Sequence, residues 1–257
     1  MAGAVSRSAR RALHKSHARR GTPAAAARVA GIDALRGIAL AMMFVYHFAF
    51  DLRFYRVIAA DFENDPFWLG FRALIVASFM TLVGVSLVLA ADAGASRAHF
   101  WRRVAVVAAC ALAASIGSWL VFPQTYIYFG ILHAITVASI VAAPFVRRPG
   151  IALAIGAAVI VAGVTLTHPA FDSRALSWIG FVTRKPATED YVPLAPWAGF
   201  VFIGIALARA LAVAHWRPVA PFARAPRALQ WLGRHSLLVY MAHQPLFFGI
   251  LWVLFGR

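Results

Sequence analysis

An arginine, a histidine and an aspartate interrupt one of the most apolar stretches of the chain, RGIALAMMFVYHFAFD over residues 36–51. On a helix, residues eleven apart return to nearly the same face, so Arg36 and His47 share a stripe about 16 Å long. Asp33 and Asp51 lie close to that stripe, and Asp51 is one turn from His47. A carboxylate at that spacing can fix the imidazole tautomer and raise its basicity, as a general base requires. Arg36 suits an anion, or snorkelling to lipid phosphates. The last apolar run places Ser236, Tyr240 and His243 on one face, with Gln244 beside them and Pro245 next. The proline cannot donate a backbone amide and is expected to kink the helix, turning freed carbonyls towards a cavity. For His243 a site role competes with helix-to-helix hydrogen bonding. Arg72, near the depth of His47, is expected to pair with Asp51, either structurally or to orient substrate. His133, within YIYFGILHAI, is read as bonded to a neighbouring carbonyl, with a catalytic or substrate-binding role as the alternative.

These residues must be positioned by membrane helices. Of the 257 residues 62% are hydrophobic and 13% charged, with mean hydropathy +0.75, whereas a soluble domain averages about a quarter charged. Seven apolar runs approach the roughly twenty residues a span needs, near 32–50, 67–91, 104–122, 127–146, 151–167, 197–214 and 235–255. The expected fold is therefore an all-α polytopic bundle of about seven transmembrane helices over residues 31–257, preceded by a basic arm over 1–30. Alternate connections are basic: Arg97, Arg102 and Arg103; Arg147 and Arg148; then Arg217, Arg224 and Arg227. The others collect carboxylates: Asp51, Asp61, Glu63 and Asp65, then Asp172, Glu189 and Asp190. By the positive-inside rule the N-terminus is cytoplasmic and the C-terminus outside.

The same sorting accounts for the net charge of +16, which gives no reason to expect nucleic acid as a partner. Cys110 alone excludes an internal disulfide framework, and no metal-ligand pair or nucleophilic serine motif appears in the spans. No metal is expected. Gly84 and Ser86, in TLVGVSLVLA, read as close-packing positions. The connection over 168–196 is long, and FDSRALSWIGFV within it is expected to form a short interfacial helix with Trp178 at headgroup depth.

Four blocks in order, IDALRGIALAMMFVYHFAFDL, FGILHAI, YVPLAPWAGFVFIGIAL and LGRHSLLVYMAHQP, resemble bacterial membrane proteins grouped with the catalytic domain of heparan-alpha-glucosaminide N-acetyltransferase. The spacing from Arg36 to His47 is also similar to the first-helix motif of membrane acyltransferases that acetylate envelope glycans. The resemblance implies acyl transfer across a bilayer: acetyl-CoA as a cytoplasmic donor and a saccharide hydroxyl or amine as an outward acceptor. Carried over, Arg36 and His47 take the motif positions.

The expected enzyme is a multi-pass protein of the bacterial inner membrane. His47, Asp51 and His243 are its catalytic candidates. Arg36, Arg72, His133, Tyr240 and Gln244 are candidates for contacting substrate. Arg102, Arg103 and Arg234 are apt for the CoA phosphates, although lipid anchoring explains them as well. A proton-coupled transporter using the same His, Arg and Asp as an ion relay is the rival class. The sequence leaves the oligomeric state open, a homodimer included.

Overall fold

The apolar runs fold as helices, two of them started by a side-chain cap. The computed structural model describes residues 29–256, so the basic arm up to Arg28 lies outside the described residues. The α-helices are α1 (Ala30–Phe54), α2 (Pro66–Asp92), α3 (Arg97–Val121), α4 (Ile131–Ala142), α5 (Pro149–Thr165), α6 (Leu194–Val213), α7 (Arg227–Arg234) and α8 (Ser236–Phe255). Asp65 caps α2 by accepting from the Phe67 amide at 2.8 Å, with Pro66 at the first helical position. Ser96 caps α3 through the His99 amide at 3.2 Å. These are the side chains that satisfy amides left over at a helix start.

Helices α1, α2, α3, α6 and α8 are long and apolar enough to cross a membrane, while α4 and α5 are shorter apolar helices. All seven expected runs are therefore helical, but two fall below the expected spanning length. Helix α4 starts late because residues 125–129 are extended and pair with 188–192: Glu189 donates to the Thr125 carbonyl at 2.8 Å and Val192 to that of Phe129 at 3.3 Å.

Helix α2 is central, with 56% of its apolar window buried, against 11% for α3 and for α8. It meets α6 backbone to backbone. A β-carbon on Gly84 would lie 2.0 Å from the Val201 carbonyl oxygen, and one on Gly204 would lie 2.1 Å from that of Thr81. Small residues at such crossings let helices close where apolar burial between spans gives little driving force. Around the crossing Met80, Val85, Val88, Val201 and Ile205 are fully buried. The α3 and α8 faces carrying Leu112, Leu120, Leu246 and Val253 are exposed, as suits a chain solvated by hydrocarbon.

Three sequence expectations are corrected. The basic stretch from Arg217 to Arg234 is not a simple connection. It folds as a 3-10 helix (Arg217–Arg224) followed by α7, and α7 lies against the first turns of α1, where Gly37 abuts Leu229 and Gly233 abuts Asp33. Second, no amphipathic helix forms over 171–182. Two short 3-10 turns, Pro169–Asp172 and Ser177–Ile179, stand there instead. Ser177 is buried between Tyr128 and the Tyr191 hydroxyl, and Gly180 has φ of +113°, a value that ends regular helix. Third, α8 runs continuously through Pro245.

Candidate active site

Helix α8 lies parallel to α1, so residues at matching heights meet. The His47 and His243 rings stand edge to face with centroids 5.0 Å apart. One turn on, Gln244 donates to Asp51 at 2.8 Å, and Tyr55 donates to the Phe248 carbonyl at 3.4 Å. Phe44 stacks on His243 from α1, and Phe247 closes the ring cluster edge-on.

His243 is the best defined member. Its Nδ1 is bonded to the Tyr240 carbonyl oxygen. A carbonyl only accepts, so Nδ1 carries the proton and the neutral ring keeps its lone pair at Nε2. That Nε2 atom, Asp51 Oδ2 and Gln244 Oε1 are buried and have no hydrogen-bond partner among the described residues. Asp51 is 2% exposed and His243 5%. All three orphaned atoms are acceptors. Buried polar atoms are normally paired, which makes these three acceptors the candidate partners of a group that brings N–H or O–H donors.

The geometry corrects the expected roles. Asp51 is bonded to Gln244 and not to His47, because the intervening turn points the carboxylate at α8. Arg72 does not reach Asp51. Its guanidinium donates to the Tyr191 carbonyl at 2.6 Å and lies 4.0 Å from Asp190. Asp190 also accepts the Ile131 amide at 2.8 Å, placing a carboxylate on the positive start of α4. The Arg72–Asp190 pair still borders the site, since Arg72 lies within electrostatic range of Tyr46 and His47, and Asp190 within range of Tyr240. Lys185 reaches the same pair from the long connection. Burial and the Arg72 charge hold its ammonium below the ordinary lysine range. Burial likewise pushes the Tyr191 phenol up, so it stays a neutral donor to Ser177.

His133 is spent on structure. Its Nδ1 accepts from the Gly130 amide at 3.2 Å, and its Nε2 lies 3.3 Å from Ser115 Oγ. It locks the start of α4 onto α3 and leaves neither ring nitrogen for a substrate.

At the other end of the bundle Asp33, 4% exposed, gathers two arginines. Arg36 donates to it at 2.9 Å and Arg234 at 3.4 Å. Arg36 also donates to Ser86 at 2.7 Å, so Ser86 tethers α2 to α1 and is more than a packing residue. Gly84, as expected, is a packing position. The expected stripe is divided: Leu40 and Met43, which occupy it between Arg36 and His47, are 0% and 2% exposed. Two polar ends stand there with an apolar layer between them. Arg102 and Arg103 lie near the start of α3 and are not among the arginines gathered by Asp33.

Asp190, Lys185 and Ser86 were not expected at these sites. The first two sit in a connection whose pairing with 125–129 leaves no periodic signal, and a serine within an apolar run reads as filler. The signal for Asp190 is its neighbourhood: a carboxylate at the end of a long connection with a half-buried arginine at matching depth.

Asp190→Ala should leave the Ile131 amide and Arg72 without their carboxylate. The expected loss is about 1–3 kcal/mol, the cost of stranding buried donors, read as a lowered midpoint of thermal unfolding in detergent. An unchanged midpoint would contradict the assigned pairing.

The family model described as heparan-alpha-glucosaminide N-acetyltransferase, catalytic, matches residues 28–245. No curated protein and no solved structure matches the chain.

Proposed function

Because the chain belongs to the heparan-alpha-glucosaminide N-acetyltransferase catalytic family, a family of membrane acetyltransferases, we propose that its chemistry takes place at the α1–α8 cluster of His47, Asp51, His243 and Gln244. The observation that carries this reading is the convergence of three buried, unpartnered acceptors beside His47.

The donor is acetyl-CoA, docking on the arginine-rich end of the bundle, which faces the cytoplasm in a bacterial inner membrane. Arg102 and Arg234 are two of the exposed arginines there, apt for nucleotide phosphates. The acceptor is an envelope saccharide entering from the opposite end, beneath the connection that carries Lys185 and Asp190. Between hydroxyl and amine, the amine is favoured. An ammonium offers three donors to Asp51 Oδ2, Gln244 Oε1 and His243 Nε2, whereas a hydroxyl offers one. Its charge would also compensate the buried Asp51 carboxylate.

His243 Nε2 takes a proton from the bound ammonium, and the freed amine attacks the thioester carbonyl. The carbon–sulfur bond breaks, an amide forms, and the CoA thiolate leaves with a proton. A route in which the same lone pair first accepts the acetyl group begins at the same atom. His47 completes the cluster. Asp51 and Gln244 orient the acceptor, and most of the rate gain expected of such positioning depends on these side chains being fixed in advance.

The test uses purified protein in liposomes with radiolabelled acetyl-CoA and paired sugars, each with a free or a blocked amine. Label on the free-amine sugars supports the reading. Uptake of sugar without acetylation would replace it with the transporter, and label on blocked sugars would shift the acceptor to a hydroxyl.

A further inference from the structure

A cavity of about 140 Å³ opens at the arginine-rich end between α2, α3 and α4. At its mouth stand His99 and Arg103, four residues apart and so on one face of α3. Among the described residues Arg103 has no ion-pair or hydrogen-bond partner. The nearby carboxylate is already taken: Asp92 is held by Arg209 at 2.8 Å. Behind the mouth the walls are Leu87, Val104, Val107, Ile135 and Val146. Of the two hydroxyls there, Thr136 is spent on the Leu132 carbonyl at 2.8 Å, which leaves Ser139.

The geometry points to a specific site for an anionic phospholipid of the phosphatidylglycerol type, its phosphate between His99 and Arg103 and the start of an acyl chain in the groove. Charge complementarity calls for an anion at the mouth. The apolar interior decides which anion. A pantetheine arm carries two amides, four polar groups that would be buried against two hydroxyls of which only Ser139 still has a proton to donate, at a cost of a few kcal/mol for each unpaired group. An acyl chain needs no polar partner. This site is separate from the acetyl-transfer cluster and stands whether or not that reading holds.

The experiment compares wild type, Arg103→Gln and Arg97→Gln in nanodiscs of phosphatidylcholine with and without phosphatidylglycerol, using native mass spectrometry and thermal unfolding. Arg97 is exposed and outside the groove, so its variant removes the same charge from the same helix end. Wild type and Arg97→Gln should carry one phosphatidylglycerol through detergent release and unfold at higher temperature when it is present. Arg103→Gln should retain about tenfold less, the worth of a charge-assisted hydrogen bond, and lose the thermal gain. Equal retention by Arg103→Gln and wild type overturns the proposal. So does equal loss in both variants, which would mean a general surface charge effect. Displacement of the lipid by added CoA would assign the groove to the donor instead.

Discussion

His243→Ala is expected to lower the rate of acetyl transfer by about 10²–10⁴-fold, the usual worth of a positioned general base, while acetyl-CoA binding persists. The expectation rests on one atom. The Tyr240 carbonyl fixes the proton on Nδ1, so the lone pair at Nε2 is presented to the cluster with no need for a rotation or tautomer change. His47 has no such fixed partner, since its expected carboxylate, Asp51, is bonded to Gln244. His47→Ala should therefore cost less than His243→Ala. Rates from single-turnover transfer in liposomes decide the order, and a larger loss at His47 would return the base to α1. Binding of acetyl-CoA by both variants, measured by calorimetry, separates lost chemistry from lost fold.

Gly233→Val should destabilise the whole bundle. A β-carbon at position 233 would lie 1.8 Å from the Asp33 carbonyl oxygen and 3.1 Å from the Gly37 amide nitrogen. Backbone atoms within a helix cannot yield as a side-chain tip can, so α7 must separate from α1. The Arg234–Asp33 contact would part with it, leaving Asp33 buried with one arginine where it now has two. Overpacking of this kind costs about 3 kcal/mol or more. The matched control is Gly249→Val, on a face of α8 where an added β-carbon meets nothing within 4 Å. Thermal unfolding in detergent should show a clear drop for Gly233→Val and little change for Gly249→Val. Equal midpoints would mean that α7 does not rest on α1 as described.

Much of the fold was legible because membrane helices announce themselves by length and apolarity. All seven apolar runs are helical, and His47, Asp51, His243 and Gln244 do come together, as an ionisable stripe on α1 and a polar turn on α8 suggest. Their pairing was not legible. Spacing shows that Asp51 and His47 are neighbours on α1, but the partner of a side chain is chosen across the helix interface, and there Gln244 reaches Asp51 first. Arg72 was misassigned for the same reason: depth in the membrane matched it to Asp51, while the chain returning from the long connection brought Asp190 and Tyr191 closer. The segment from Arg217 to Arg234 concealed its packing under its charge. Four arginines there suggest a solvated connection, yet glycines at 37 and 233 let its backbone lie directly on α1. His133 shows another case, in which a polar residue inside an apolar run is bonded to the start of its own helix and to Ser115 of α3.

The most direct test of the central claim is a cryo-electron microscopy map of the protein with a non-hydrolysable acetyl-CoA analogue and an amino sugar bound together. The account predicts the acyl carbon and the sugar nitrogen within about 3–3.5 Å of each other, as a near-attack arrangement requires, with that nitrogen against His243 Nε2 and Asp51 Oδ2. Density for the acyl group anywhere outside the α1–α8 cluster, with the three buried acceptors still unpaired, would contradict it.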